Sequence, residues 1–262
     1  MSESMPFPAT TAQGRLPLSG KTALVTGAVG ALGTEICRSL VRDGANVVVH
    51  HLNQHEQAEQ LCHELERLGA RTAAISADVS DWAQVEESID QARTALGPID
   101  ILVNNAGWME SRQILDTDLD SWRQTMAVDL DGVFVVSRLL LPELIERQGK
   151  IVNVSSQLAY KGARDFVAYC TAKAGILGFT RALAREVGPG VRVNAIAPGP
   201  IDTPMVTPHA TTQWVAERTR DSVVQRLGRP EEIGPTVAFL VGPGADLIHA
   251  QTLHLNGGGV LG

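Results

Sequence analysis

Tyr169 and Lys173 stand four residues apart in a stretch whose apolar spacing predicts a helix, so their side chains share one face. A free phenol, with a pKa of about 10, is a poor acid–base group at neutral pH. An ammonium one turn away favours the phenolate and draws the group toward the working range. Ser156 lies thirteen residues earlier, at the end of a predicted strand, where its hydroxyl could hold a carbonyl oxygen for protonation. With 2 tyrosines and 4 lysines in 262 residues, chance alone gives about 0.03 Tyr-x-x-x-Lys pairs. The spacing points to proton exchange at an oxygen atom, with an ordinary structural pair on a helix as the plain alternative.

A second group of residues could hold an anion. Thr26-Gly27-Ala28-Val29-Gly30-Ala31-Leu32-Gly33 joins a predicted strand to a predicted helix. Glycine supplies the backbone angles of so tight a turn and lets a pyrophosphate approach the helix N-terminus. Sheets that bind NAD in this way usually carry an acid about 20 residues on, which holds a ribose hydroxyl. Here the second strand ends His50-His51-Leu52-Asn53, without a carboxylate. A 2′-phosphate is then not repelled, and a partly protonated histidine would attract it, which tilts the expectation toward NADP(H) over NAD(H). No arginine stands at this strand end or in the turn. The alternative is that both histidines are solvated loop residues.

The elements that must position these residues alternate along the chain. Apolar, β-branched runs at 22–26, 46–50, 72–77, 99–103, 150–155, 191–197 and Thr252–Leu255 predict seven strands. Helical patterns such as 34–43 and 54–68 separate them. None of the runs alternates strictly, as expected when helices cover both faces of a parallel sheet. The pattern predicts an α/β fold: one doubly wound parallel seven-stranded sheet with helices on both faces, in a single domain over 18–262. An eight-fold barrel also fits the length, and the chemistry in the turns is what separates the two. Residues 1–17 hold three prolines and many small polar residues without an apolar core. They read as a loosely ordered arm rather than a signal peptide.

Composition removes other classes. The chain is 44% hydrophobic and 19% charged, enough to bury a core and unlike a disordered chain. A net charge of −7 without runs of like charge speaks against nucleic acid or an anionic membrane as partner. No stretch of 18 apolar residues is present, so no spanning helix is expected. Cys37, Cys62 and Cys170, odd in number and scattered, form neither a disulfide framework nor a metal cluster and suit a reducing cytoplasm.

Together these residues resemble the short-chain dehydrogenase/reductase family, from about Lys21 to Gly259. The turn resembles that family's Thr-Gly-x-x-x-Gly-x-Gly, so Gly27, Gly30, Leu32 and Gly33 are expected to hold a cofactor, with His51 near its ribose. Asp78-Val79 resembles the adenine-contacting pair. Asn104-Asn105-Ala106-Gly107 resembles the Asn-Asn-Ala-Gly segment, which brings in Asn105, Ala106 and Gly107. Ser156, Tyr169 and Lys173 match the catalytic residues, and Pro198-Gly199 followed by Ile201 and Thr203 resembles the nicotinamide-carboxamide segment. The resemblance implies a Rossmann fold, an NAD(P)(H) cofactor and hydride transfer between it and a carbonyl or secondary alcohol. In that reading Tyr169 protonates the oxygen, Ser156 holds it, and Lys173 binds the nicotinamide ribose and lowers the tyrosine pKa.

The sequence departs from the family pattern twice. Ala31 replaces the middle glycine, where a methyl weakens binding modestly unless neighbouring Gly30 lets the turn adjust. Asp129-Leu130-Asp131-Gly132 stands where the family has Asn-Leu-x-Gly, whose asparagine helps hold a water in a relay from the lysine. Asp129 has nearly the same shape but only accepts hydrogen bonds when ionised. It joins the catalytic candidates and is expected to raise the tyrosine pKa and shift the pH optimum. The plain alternative is that it accepts bonds from a helix kink without effect on catalysis.

By the same resemblance, Trp108, Gln157 and Met205 are the expected substrate contacts. With Met109, Leu158, Tyr160, Phe166 and Trp214 they suggest a largely apolar pocket for a small or medium ketone, under a mobile lid at 205–223. A 3-oxoacyl-carrier-protein reductase fits the same chemistry, with Arg164, Arg181 and Arg185 as a docking patch. A nucleotide-sensing protein that has lost turnover is the reading from another class. Helices at 118–147 and 165–186 and the tail Val260-Leu261 are expected interfaces of a homotetramer or homodimer.

Overall fold

The computed structural model describes residues 15–203 and 211–260. Seven short apolar runs form β1 (Thr22–Val25), β2 (Asn46–His51), β3 (Thr72–Ser76), β4 (Ile101–Asn104), β5 (Lys150–Val154), β6 (Arg192–Pro198) and β7 (Thr252–Leu255). They make one parallel sheet in the order β3-β2-β1-β4-β5-β6-β7. The sheet ends at β3 and β7 and does not close on itself, which excludes the barrel.

The connecting helices are α1 (Ala31–Arg42), α2 (His55–Arg67), α3 (Trp82–Leu96), α4 (Leu119–Met126), α5 (Gly132–Glu146), α6 (Leu158–Lys161), α7 (Val167–Val187), α8 (Thr212–Thr219) and α9 (Gly234–Val241). Successive strand residues point to opposite faces. Ala23, Val25, Val47 and Val49 pack beneath Ile36 and Leu40 of α1, Leu61 of α2 and Val237 of α9. Leu24, Val48 and Leu102 pack on the other side, against Ile89 of α3, Leu140 of α5 and Ala184 of α7. Both faces of each central strand are therefore buried, and the lack of polar alternation in the sequence follows from that.

The helix ends differ in a way that bears on function. Asp81 caps α3 by accepting the N–H of Gln84, and Asp118 caps α4 by accepting that of Ser121. In contrast, α1 starts after Gly30, no side chain caps it, and its first turn holds no acidic residue.

The helix expected over 118–147 is interrupted. Between α4 and α5, Ala127–Asp131 form a π-helical turn, a widened turn that recurs at functional sites. A 3.6-residue apolar period does not register one inserted residue, so the sequence pattern read straight through it. The turn carries Asp129 into the interior, where it is 0% exposed. Gly132 then lets the chain pass Val79, whose Cγ2 would lie 2.7 Å from a Cβ there.

Candidate active site

The sheet order reverses between β1 and β4, and the loops leaving those strands border a crevice at their C-terminal ends. Thr26 joins the two loops: its Oγ1 accepts the N–H groups of Asn105 and Ala106, each at 2.9 Å. Asn105 Nδ2 returns bonds to the carbonyls of Thr26 and Gly27 at 2.9 and 3.0 Å. Gly27 has φ +60°, and a Cβ there would lie 2.9 Å from Ala106 Cα; one at Gly33 would lie 2.3 Å from the Gly27 carbonyl oxygen. Only glycine fits both positions. The turn thus presents bare backbone and an uncapped helix N-terminus, with the N–H groups of the first turn of α1 unclaimed by side chains. That donor set fits a dinucleotide pyrophosphate. Gly30 is exposed, and Ala31 and Leu32 are half-buried beside it. Asp78, after β3, accepts both the N–H and the hydroxyl of Ser80, and Val79 is buried behind it.

Both readings of the histidine pair are corrected. His50 and His51 are 3% and 2% exposed, so neither is a solvated loop residue. Burial, aided by neighbouring His51, pushes the His50 imidazole down from its ordinary 6.5 to about 4. His51 is also pushed down, by burial and by His55, whose ring meets it edge-on at 4.7 Å. Its Nδ1 accepts the Gln54 N–H at 3.1 Å. His50 Nδ1 accepts the Gly27 N–H at 3.4 Å, a support of the glycine turn that the sequence reading missed. Neither ring offers a positive charge to a ribose phosphate; Leu52 and Asn53 are the exposed residues at this strand end.

The acid–base group converges at the far side of the crevice. Tyr169 and Lys173 lie on α7, with Lys173 Nζ 5.5 Å from the Tyr169 ring centre. Ser156 follows β5 and is buried, its Oγ accepting the Leu158 N–H at 3.1 Å. Lys173 Nζ lies 2.7 Å from Asp129 Oδ1, and Asp129 Oδ2 accepts the Trp108 N–H at 3.1 Å. Gly107 borders the pair, since a Cβ there would lie 2.7 Å from Asp129 Oδ1 and 3.2 Å from Lys173 Nζ. Burial opposes the charge on Lys173, but Asp129 and Tyr169 outweigh it, and the ammonium pKa lies above its ordinary value.

The tyrosine moves against the lowering expected from Lys173. Burial raises the Tyr169 pKa; Lys173 and a hydrogen bond with Ser156 pull it down, while Asp129 pushes it up, and the net direction is upward. The lowering expected from Lys173 is thus more than offset, and the upward push expected from Asp129 is present.

Contacts that the sequence reading did not anticipate hold α7 in place. Ser155 Oγ donates to the carbonyl of Lys173 at 2.8 Å. Behind it, Asn104 donates to Asn153 at 2.8 Å and Asn153 to Thr180 at 2.9 Å, a buried ladder from β4 through β5 to α7. These contacts join residues 18 to 49 positions apart, and no local pattern announces them.

The remaining expected residues are spread around the crevice. Pro198 ends β6, Gly199 donates its N–H to Leu255 at 2.9 Å, and Ile201 is buried and bridges to Gly228. Thr203 is half-buried. Trp108 is 46% exposed on the loop that Asp129 tethers. Gln157 is buried, with its N–H on the Pro198 carbonyl at 2.9 Å, and its Oε1 has no hydrogen-bond partner among the described residues. Tyr160 packs against His254 with ring centres 4.6 Å apart. Met205 lies outside the described residues; of the expected lid, α8 is described, with Arg218 stacked 5.1 Å over Trp214.

Residues 27–259 match the family model described as enoyl-(acyl carrier protein) reductase. Nodulation protein G of Azospirillum brasilense is 41% identical over 244 residues, covering 92% of this chain and 98% of that protein. A 3-oxoacyl-[acyl-carrier-protein] reductase of Thermotoga maritima is 32% identical over 251 residues, covering 93% of this chain and 99% of that one. Among solved structures, a short-chain dehydrogenase/reductase from Brucella melitensis aligns with a TM-score of 0.88 at 33% identity, over 95% of this chain and 100% of the other. An open parallel sheet, a glycine turn at its switch point and a Ser-Tyr-Lys group beside it agree with those matches, and the chain belongs to the short-chain dehydrogenase/reductase family of oxidoreductases.

Proposed function

We propose that the protein interconverts a carbonyl and a secondary alcohol, with a nicotinamide dinucleotide as cofactor and Tyr169 as general acid and base. The observation that carries this reading is the meeting of Ser156, Tyr169 and Lys173 beside the crevice that the glycine turn borders. The first turn of α1 with Gly27, Gly30, Leu32 and Gly33 would hold the pyrophosphate, and Asp78 and Val79 the adenine end. Asn105 to Gly107, Pro198, Gly199, Ile201 and Thr203 would border the nicotinamide end, with Lys173 at its ribose. When bound, the dinucleotide supplies or takes up the hydride and its two electrons. Ser156 Oγ accepts from Leu158, which leaves its own proton to donate to an oxygen held against Tyr169. Tyr169 gives that oxygen its proton in reduction and removes one in oxidation.

NADP(H) is the preferred form in this reading. Its support is the strand end itself: Leu52, Asn53 and Gln54 follow β2 without a carboxylate to bind a 2′-hydroxyl or repel a 2′-phosphate. Trp108, Gln157 and Met205 would contact a small or medium ketone. A 3-oxoacyl thioester on a carrier protein is the second reading, favoured by the names of several relatives. Its docking patch would draw on Arg164, Arg181 and Arg185, which are exposed. Three unpaired cysteines fit a cytoplasmic location, and the assembly is proposed to be a homotetramer or homodimer.

The test is absorbance at the reduced-nicotinamide band, offering NADPH and NADH separately against ketones, 3-oxoacyl thioesters and quinones. Turnover is expected, faster with NADPH, and falling by about 100-fold or more in Tyr169→Phe. Binding of either cofactor with no turnover across the panel would instead favour the nucleotide-sensing alternative.

A further inference from the structure

Asp129 has no part in the reaction as proposed, yet it is the charged side chain most completely removed from solvent beside it. The π-helical turn delivers its carboxylate to within 2.7 Å of Lys173 Nζ. The Trp108 N–H fixes the second oxygen, and the missing side chain of Gly107 leaves the pair its space. The π turn and the loop after β4 thus hold one carboxylate against the ammonium that α7 carries.

A lone ammonium 5.5 Å from the tyrosine ring would stabilise a phenolate strongly in a buried site. An ion pair presents that ring with two opposed charges, Asp129 offsetting part of the pull of Lys173. The titratable or charged groups facing Tyr169 are Lys173 and Cys170 from its own helix and Asp129 from the π turn, with the Ser156 hydroxyl completing the set. α6 and α4 also pack against α7. Their charges are engaged elsewhere: Lys161 lies 3.6 Å from Asp221, and Arg123 lies 3.8 Å from exposed Asp120. Asp129 is therefore what distinguishes this site electrostatically from one with an uncompensated lysine.

We infer that Asp129 is a positioning residue that screens the charge of Lys173 from Tyr169, disposing the site to give a proton rather than take one, so that carbonyl reduction keeps its full saturated rate through neutral pH while alcohol oxidation requires alkaline pH. The inference rests on the acid–base role proposed for Tyr169. In reduction the carbonyl carbon gains a hydride from the reduced dinucleotide, its oxygen gains the Tyr169 proton, and water reprotonates the phenolate. Oxidation is the reverse and needs that phenolate at the outset. The overall equilibrium is unchanged; what moves is the saturated turnover in each direction. Burial is the largest cause of the upward direction of the Tyr169 pKa, and Asp129 adds to it.

Tyr160→Phe leaves Tyr169 as the remaining tyrosine, since the chain has 2. Ultraviolet absorbance of its phenolate then follows the titration in the full chain, without cofactor or substrate. At pH about 10, where half of a free phenol is ionised, Tyr169 stays mostly phenol, and adding Asp129→Asn raises its phenolate fraction. Asp129→Ser, which keeps an acceptor for the Trp108 N–H, replaces Asp129→Asn if that variant does not fold. A Tyr160→Phe protein already half ionised at that pH overturns the inference, as does an Asp129 variant whose titration is unmoved. In saturated kinetics Asp129→Asn moves the oxidation limb to lower pH and raises oxidation at pH about 7.5 by about threefold or more; an unmoved limb overturns the inference too. Because the titration needs no turnover, failure of Tyr169 as the acid–base group would leave the absorbance result standing and appear only in the kinetics.

Discussion

A histidine at the end of a nucleotide-binding strand attracts a phosphate only when it carries a proton, and His50 is held neutral. Its pKa falls from 6.5 to about 4 because the ring is buried, while its Nδ1 accepts the Gly27 N–H. The consequence is a pH dependence of stability with a definite sign. Above about pH 6.5 both folded and unfolded states carry a neutral ring, and the full stability is present. As pH falls from about 6.5 toward about 4 the unfolded state takes up the proton first, and stability is lost across that window by an amount on the order of 3 kcal/mol. His51, also depressed, acts in the same direction. His50→Asn keeps an acceptor near the Gly27 N–H but does not titrate. Urea midpoints at pH about 5 and about 7.5 should converge in that variant relative to the native protein; an unchanged gap would assign the loss to other groups.

At the scale of elements, the junction of β1 with α1 decides whether a cofactor can bind. Gly33 sits in the first turn of α1, and a Cβ there would lie 2.3 Å from the Gly27 oxygen and 2.8 Å from Ala28 Cα. These are backbone atoms that cannot swing aside. Gly33→Ala is expected to cost about 1–3 kcal/mol of stability and to weaken dinucleotide binding by about tenfold or more, because the turn must open. Calorimetric titration with NADPH checks the second figure, and a variant that binds as tightly as the parent would show that the turn is not the cradle. This junction was legible in the sequence, since a β-branched run followed by a glycine cluster and an amphipathic pattern has one plausible geometry. The π turn was not legible, since the residues on either side of it are helical and the apolar spacing continues through it.

At the scale of the molecule, several large apolar side chains remain on the surface: Phe134 and Ile145 on α5, Val167 on α7, and Phe239 on α9. A homo-oligomer would cover such faces. Gly178 gives a test on α7. It is exposed, and a Cβ there would meet nothing within 4 Å in the single chain. In a monomer Gly178→Ala should raise stability by about 0.5–1 kcal/mol through helix propensity. Where a second copy packs closely on α7, the added methyl meets that copy, and the same change should lower the assembly state seen by light scattering. Stabilisation with an unchanged mass would exclude α7 as a close interface.

Local sequence determined the strands of the sheet, the glycine turn and the Tyr169–Lys173 pair, because each depends on short-range periodicity, backbone freedom or helical spacing that a few neighbouring residues dictate. The tertiary structure decided which charges those residues carry and face. Burial of His50 removed the proton expected to attract a phosphate. The π turn brought Asp129, 44 positions away from Lys173 in the sequence, into contact with it at 2.7 Å. Protonation depends on desolvation and on charges brought together from distant parts of the chain, and those are fixed only when the sheet is assembled and its helices are packed.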